Sequence, residues 1–221
     1  MEYTFKRLTL LCGHYGSGKT NVAVNLAMRL RQQYEKVALA DLDIVNPYFR
    51  AEDSRKELAA AGIDLICSAY ANSNVDLPAL PQELYRLTDD RSLHAVLDIG
   101  GDDRGALALG RIAPAILEEN DYDMLMVINR FRPLTPDAES TVEIMREIEQ
   151  AAGMRFTGLV NDSNLGRETT AETVLSSLAY GEEVAALSGL PLKLTACAQP
   201  LYPSLEGRIK NLLPLDLQST F

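Results

Sequence analysis

The chain has 221 residues, 47% of them hydrophobic and 24% charged, with a formal net charge of −10 at pH 7. This is the composition of a folded globular protein long enough for a full core, and it excludes a disordered or fibrous chain. The acidic balance argues against a general nucleic-acid binder and against a standing attraction to anionic lipid, both of which rely on basic surface.

No apolar run approaches the ~20 residues of a membrane-spanning helix, so no membrane partner is expected. Cys12, Cys67 and Cys197 lie far apart with no C-x-x-C, which argues against a disulfide framework or a metal-ligand pair. Residues 1–7 lack a signal-peptide core, making the cytoplasm the expected compartment. With no linker, repeat or low-complexity stretch, residues 1–221 read as a single domain.

In chain order, residues 7–12 form an apolar run that fits a buried strand. Residues 13–20 follow as Gly13-His14-Tyr15-Gly16-Ser17-Gly18-Lys19-Thr20, a complete G-x-x-x-x-G-K-[ST] phosphate loop. Its glycines let the backbone curl so that N–H groups converge on phosphate oxygens. Lys19 reaches the outer phosphates and Thr20 supplies a hydroxyl to Mg²⁺. Val22, Ala23, Leu26, Ala27 and Leu30 then repeat at helical spacing, up to about Tyr34. A second strand is expected at residues 36–41, a helix at 48–61 stopped by Gly62, and a third strand at 63–67. Residues 69–80 read as irregular, and a short helix is expected at 81–87 with Pro81 in its first turn.

The fourth strand is expected at residues 93–98, then a helix over 106–119 containing Pro114, then a fifth strand at 122–129. Thr135-Pro136-Asp137 opens a helix with an apolar face of Ile144, Met145, Ile148 and Ala152. A sixth strand is expected at 154–161. Thr169 and Glu172 are placed as a capping box for a helix carrying Val174, Leu175 and Leu178. A seventh strand at 190–196 and a final short helix at 204–213 complete the chain. Strands alternating with helices predict an α/β fold: a mostly parallel central sheet of about seven strands with helices on both faces. Such sheets bind ligands beyond the carboxyl ends of their strands.

Two acidic segments sit at those ends. The second strand closes in Asp41-Leu42-Asp43 and the fourth in Asp98-Ile99-Gly100-Gly101-Asp102. A phosphate-loop protein needs one acid to hold Mg²⁺ through its water shell and another to position the attacking water. Asp98 suits the first role. Asp43 or Asp41 suits the second, beside Lys19, and the Gly101 N–H is expected to approach the outer phosphate. Tyr48 and Phe49, just beyond Asp43, are read as core or as partner contacts.

With these segments in view, the chain resembles the ParA/MinD (CobQ/CobB/MinD/ParA) group of P-loop ATPases, whose second and third segments read D-x-D and D-x-x-G. The resemblance covers most of the chain and implies a P-loop NTPase fold, with ATP and Mg²⁺ as cofactors. It also implies a switch at Gly101 and Asp102, a nucleotide-dependent homodimer and a protein partner. It further implies that Asn161 and the loop at Pro200 hold the adenine, and no Asn-Lys-x-Asp guanine signature is present. The group's signature has a lysine where this chain has His14. Arg104, Arg130 and Arg132 are candidates to supply that charge as an arginine finger. The implied function is a Mg²⁺-dependent ATPase acting as a nucleotide-driven switch or as an assembly or maturation factor for a protein partner. The alternatives are an ATP-dependent small-molecule enzyme of the dethiobiotin synthetase or cobyrinate amidation type, and a nucleotide-binding module without hydrolysis.

Overall fold

The computed structural model describes residues 4–43, 51–67, 82–100 and 103–217. The expected loop at 69–80, Pro81, the segment carrying Tyr48 and Phe49, and the switch residues Gly101 and Asp102 lie outside the described residues.

Eight parallel strands form one sheet: β1 Leu8–Cys12, β2 Val37–Leu42, β3 Ile63–Cys67, β4 His94–Ile99, β5 Tyr122–Ile128, β6 Gly158–Asn161, β7 Leu192–Ala198 and β8 Leu212–Leu215. Their order is β3-β2-β4-β1-β5-β6-β7-β8. The central strands are buried along their whole length, as expected of strands covered on both faces. On one face lie α1 Lys19–Arg31 and α2 Arg55–Ala60, which contribute Val22, Leu26, Leu30 and Leu58 to the core there. On the other lie α4 Asp103–Glu119, α5 Ala138–Ala152 and α7 Leu178–Ser188, with α3 Arg86–Asp89 beside α4. Because every ladder is parallel, the carboxyl ends of all strands meet at one edge.

At the opposite edge Arg7 ties the start of β1 to the end of α4. Arg7, just before β1, lies 5% exposed. Its Nε donates to Glu119 Oε1 at the end of α4 at 2.5 Å, and its Nη2 donates to the same carboxylate. Its remaining N–H groups reach the backbone oxygens of Leu93 at 2.7 Å and Leu87 at 2.9 Å.

Several elements differ from expectation. The sixth strand is shorter, at Gly158–Asn161, because Glu149 draws the Phe156 N–H into a loop bond at 2.9 Å. The helix α6 Ala171–Ser176 is capped by Thr170 and Thr173, not by Thr169 and Glu172. Thr169 is spent instead on Leu165 N and Gly166 O. No single helix covers 204–213. A short α8, Tyr202–Leu205, ends, and Gly207 and Asn211 take positive φ of 78° and 56°. A helix cannot pass through those conformations, and the chain returns as β8. Pro214 is tolerated inside β8 because that strand lies at the rim of the sheet.

Candidate functional site

The phosphate loop leaves β1 and enters α1 at the carboxyl edge. Gly13 has φ 153°, and a Cβ there would come 2.4 Å from the Val127 carbonyl oxygen, so only glycine fits against β5. Gly18 is left-handed at φ 95°, and an added Cβ would come 1.8 Å from Asp162 Oδ2. The Ser17 N–H closes the loop onto His14 O at 3.1 Å. No side chain caps the N-terminus of α1, which leaves the positive end of that helix to an anion. The buried Ser17 hydroxyl has no partner.

Two of the sequence-predicted acids, Asp98 and Asp43, meet this loop. Register places Asp98 level with Leu11 of β1 and with Asp41 of β2. Thr20 Oγ1 donates to Asp98 Oδ2 at 2.6 Å, while Asp98 Oδ1 is buried with no hydrogen-bond partner. Burial first, with Asp41 and Asp43 adding to it, pushes the Asp98 carboxyl up to about 7 against the opposing pull of Lys19. An orphaned carboxylate oxygen beside a threonine hydroxyl fits a hydrated hard cation such as Mg²⁺. Lys19 is buried and its ammonium donates to His14 O at 3.4 Å and pairs with Asp43 Oδ2 at 3.8 Å. Asp41 has a different job: Oδ1 accepts from Asp43 N at 3.1 Å and Oδ2 from Ala51 N at 3.2 Å, bracing both ends of the intervening segment.

The Asp98 shift carries a stability cost with a defined sign. The unfolded chain releases this proton near the usual 3.8, and the native chain holds it to about 7. Native stability therefore falls as pH rises through that window and levels off above it. Asp98→Asn removes the buried charge but leaves both N–H groups of the amide unpaired. The variant is expected to be about 2 kcal/mol more stable than the native sequence at pH 8. That advantage shrinks toward pH 4, and urea unfolding at the two pH values measures it.

A cavity of about 420 Å³ runs from Gly16, Gly18, Lys19 and Thr20 to the loops after β6 and β7. Its polar lining includes Arg132, Asp162 and Asn164, and its apolar wall is Val174, Ala196, Cys197 and Leu215. That size and mixture suit a nucleotide-sized ligand. Asn161 is not part of the lining. It is fully buried, its Nδ2 donates to Ser177 Oγ at 3.0 Å, and its Oδ1 accepts from Ser163 Oγ at 2.7 Å. In this structure its amide is engaged by these two serines and is not turned to the cavity. Pro200 stands exposed in the turn Gln199–Leu201, and the cavity is bounded by Ala196, Cys197 and Ala198 ahead of it.

His14 is half-buried, with Nδ1 facing the Tyr15 carbonyl at 3.0 Å, and Tyr15 is exposed. Of the three arginines, Arg130 donates to Ser176 O at 3.0 Å and lies over the Phe131 ring, while the Arg104 side chain lies outside the described residues. Arg132 alone of these is seen lining the cavity. Asn129, which follows β5, did not emerge from the sequence reading. It is fully buried, its Oδ1 accepts from Phe131 N at 3.0 Å, and its Nδ2 donates to Asn164 O at 3.4 Å, joining the turns after β5 and β6. Its place at the carboxyl end of a predicted strand was the signal that could have found it.

Among the described residues, no helix is long and apolar enough to cross a membrane. The family model of the CobQ/CobB/MinD/ParA nucleotide binding domain matches residues 11–174. No curated protein matches the chain. Solved structures similar to it include FtsY from Mycoplasma mycoides, at TM-score 0.57 and 17% identity over 89% of this chain and 62% of that one. Signal Recognition Particle 54 kDa protein from Aeropyrum pernix, in complex with GDP, matches at TM-score 0.52 and 17% identity over 88% of this chain and 42% of that one. FlhF complexed with GTP/Mg²⁺ matches at TM-score 0.51 and 13% identity over 87% and 66%. This chain spans 61% of the length of another Mycoplasma mycoides FtsY structure. At these identities the likeness is one of fold.

Proposed function

Because the chain belongs to the CobQ/CobB/MinD/ParA nucleotide-binding domain family, we propose that it is a Mg²⁺-dependent ATPase working as a nucleotide-driven switch for a protein partner. The observation that carries this reading is the engagement of Lys19 with Asp43. A triphosphate competes with Asp43 for that ammonium, so its arrival frees the acid for a new partner, next to Asp41, which holds Asp43 N and Ala51 N. Thr20 and Asp98 would hold a hydrated Mg²⁺, which supplies charge neutralisation at the phosphates. Asp43, once released, is placed to orient the attacking water. Gly101 and Asp102 keep the outer-phosphate role expected of them from the sequence.

ATP is preferred to GTP because the chain lacks the Asn-Lys-x-Asp signature. Asn164 uses one N–H on Asp162 O at 2.8 Å and one oxygen lone pair on Gly166 N at 3.1 Å. It keeps one donor and one acceptor for a base edge. The guanine nucleotides in the similar structures make MgGTP the necessary control.

The test is calorimetric titration with MgATP and MgGTP, with phosphate release followed in the same samples. Binding of MgATP with slow release by the chain alone supports the switch. Consumption of ATP only when a small substrate is added supports the small-molecule enzyme, and binding without release in any condition supports the silent module. Asp43→Asn is expected to bind MgATP as tightly as the native chain or a few-fold tighter, because Lys19 loses its competitor. Its turnover is expected to fall about 100-fold, the usual contribution of a positioned base. Equal turnover in the two proteins rules out this role for Asp43.

A further inference from the structure

The geometry points to Arg132 as an arginine finger acting within its own chain, so that one copy carries a complete hydrolytic site and no second copy is needed across the nucleotide. This rests on the ATPase reading above.

The need for such a group is set at His14. That residue occupies the loop position next to Gly13, is half-buried, and has a ring nitrogen turned to the Tyr15 carbonyl. A neutral imidazole offers no permanent charge to phosphates. Lys19 is the loop's own cation, and phosphoryl transfer develops more charge on the outer oxygens than one ammonium neutralises.

Arg132 meets the need by position. Its guanidinium packs on the phosphate loop: a Cβ added to Gly16 would come 3.4 Å from Nε and 3.6 Å from Cζ. It lines the same cavity as Lys19 and Thr20. Its Nε is buried and has no hydrogen-bond partner, which is costly unless a ligand oxygen completes it. Its backbone is fixed on both sides, since Arg132 N donates to Asn129 O at 3.2 Å and Arg132 O accepts from Thr135 N at 3.1 Å. Asn129 is itself bonded to the turn after β6. Among the described residues, the acid that lines this cavity with the guanidinium is Asp162, which is buried, and burial raises its carboxyl well above the ordinary range. That weakens its hold on Arg132.

In the reaction, the water oxygen forms a bond to the terminal phosphorus, and the bond from that phosphorus to the bridging oxygen breaks. Of the water's two protons, one stays on the inorganic phosphate and the other is released to solvent, and the bridging oxygen stays on ADP. Arg132 neutralises charge on the terminal and bridging oxygens, and Asn129 is its positioning residue.

The test compares the native chain with Arg132→Gln, and uses Arg130→Gln as the control arginine. MgADP affinity of Arg132→Gln is expected within about threefold of native, while turnover falls at least about 1,000-fold, the lower end of the range for such fingers. The native chain is expected to bind MgADP more tightly when aluminium fluoride is added, and Arg132→Gln is expected to lose that gain. Arg130→Gln keeps both properties. The native rate per chain is expected to stay constant across a wide range of protein concentration, with light scattering reporting the single-chain mass. Unchanged turnover and an unchanged aluminium fluoride gain in Arg132→Gln overturn the inference, as does a rate that rises with concentration alongside doubled mass. A native chain that binds MgATP but neither turns it over nor gains from aluminium fluoride also overturns it, and leaves nucleotide binding standing. A native chain that binds no MgATP overturns the ATPase reading itself, and this inference with it.

Discussion

Lys19→Ala is expected to lower MgATP affinity by at least about 100-fold, equivalent to about 3 kcal/mol, and to remove measurable turnover. Lys19 is nearly fully buried at the head of α1, so its ammonium is desolvated and its interaction with phosphate is stronger than a surface contact. Its present partners are a carbonyl at 3.4 Å and the Asp43 carboxylate at 3.8 Å. Neither is a close ion pair, so the cation is available to a multivalent anion. Removing it also takes away the positive charge that offsets Asp43 and Asp98, which adds repulsion toward any phosphate. Calorimetry at matched pH measures the loss. Affinity within threefold of native would show that the loop does not hold nucleotide through Lys19. Circular dichroism and thermal melting of the same variant separate loss of binding from loss of fold.

The second large effect lies at the far edge of the sheet. Arg7→Ala is expected to destabilise the fold by about 3 kcal/mol, the cost of stripping a half-buried carboxylate and two buried backbone carbonyls of their shared donor. At this chain length that lowers Tm by roughly 10 °C. The Glu119 carboxyl is held below its usual value of 4.5 mainly by the hydrogen bonds from Arg7. Its contribution is therefore present above that value and is lost as pH falls through the lower native one. The gap between Arg7→Ala and native should accordingly narrow in acid. Removing both charges together, as Arg7→Met with Glu119→Leu, is expected to cost less than Arg7→Ala alone, because no charge is then stranded. The carbonyls of Leu87 and Leu93 remain to be paid for. Urea unfolding of the three proteins decides it, and a double variant less stable than Arg7→Ala would refute the account.

Where the chemistry is local, the sequence is easy to read. The phosphate loop, its strand and its helix follow from spacing alone, and the Thr20–Asp98 contact follows from knowing that strand ends share an edge. Asn161 shows the limit. An asparagine closing a strand can aim its amide at the ligand or into the protein, and here Ser177 and Ser163 claim it from elements far along the chain. Arg130 and Arg132 are indistinguishable by composition, yet one turns to a helix carbonyl and the other to the cavity. The helix expected over 204–213 failed for a backbone reason, since Gly207 and Asn211 are the residue types that accept left-handed conformations. β8 then looked unlike a strand because Pro214 sits within it.

That proline has a consequence for growth of the sheet. The rim formed by β8 carries a nitrogen without a hydrogen, and beside it Asn25 clasps Asp216 through two bonds, at 2.9 and 2.8 Å. An incoming strand finds an incomplete ladder and an occupied flank. Edge-to-edge polymerisation and strand exchange are closed off on this side. Any higher-order assembly formed there has to be specified by side-chain complementarity, which selection can switch on and off, and not by backbone pairing, which it cannot.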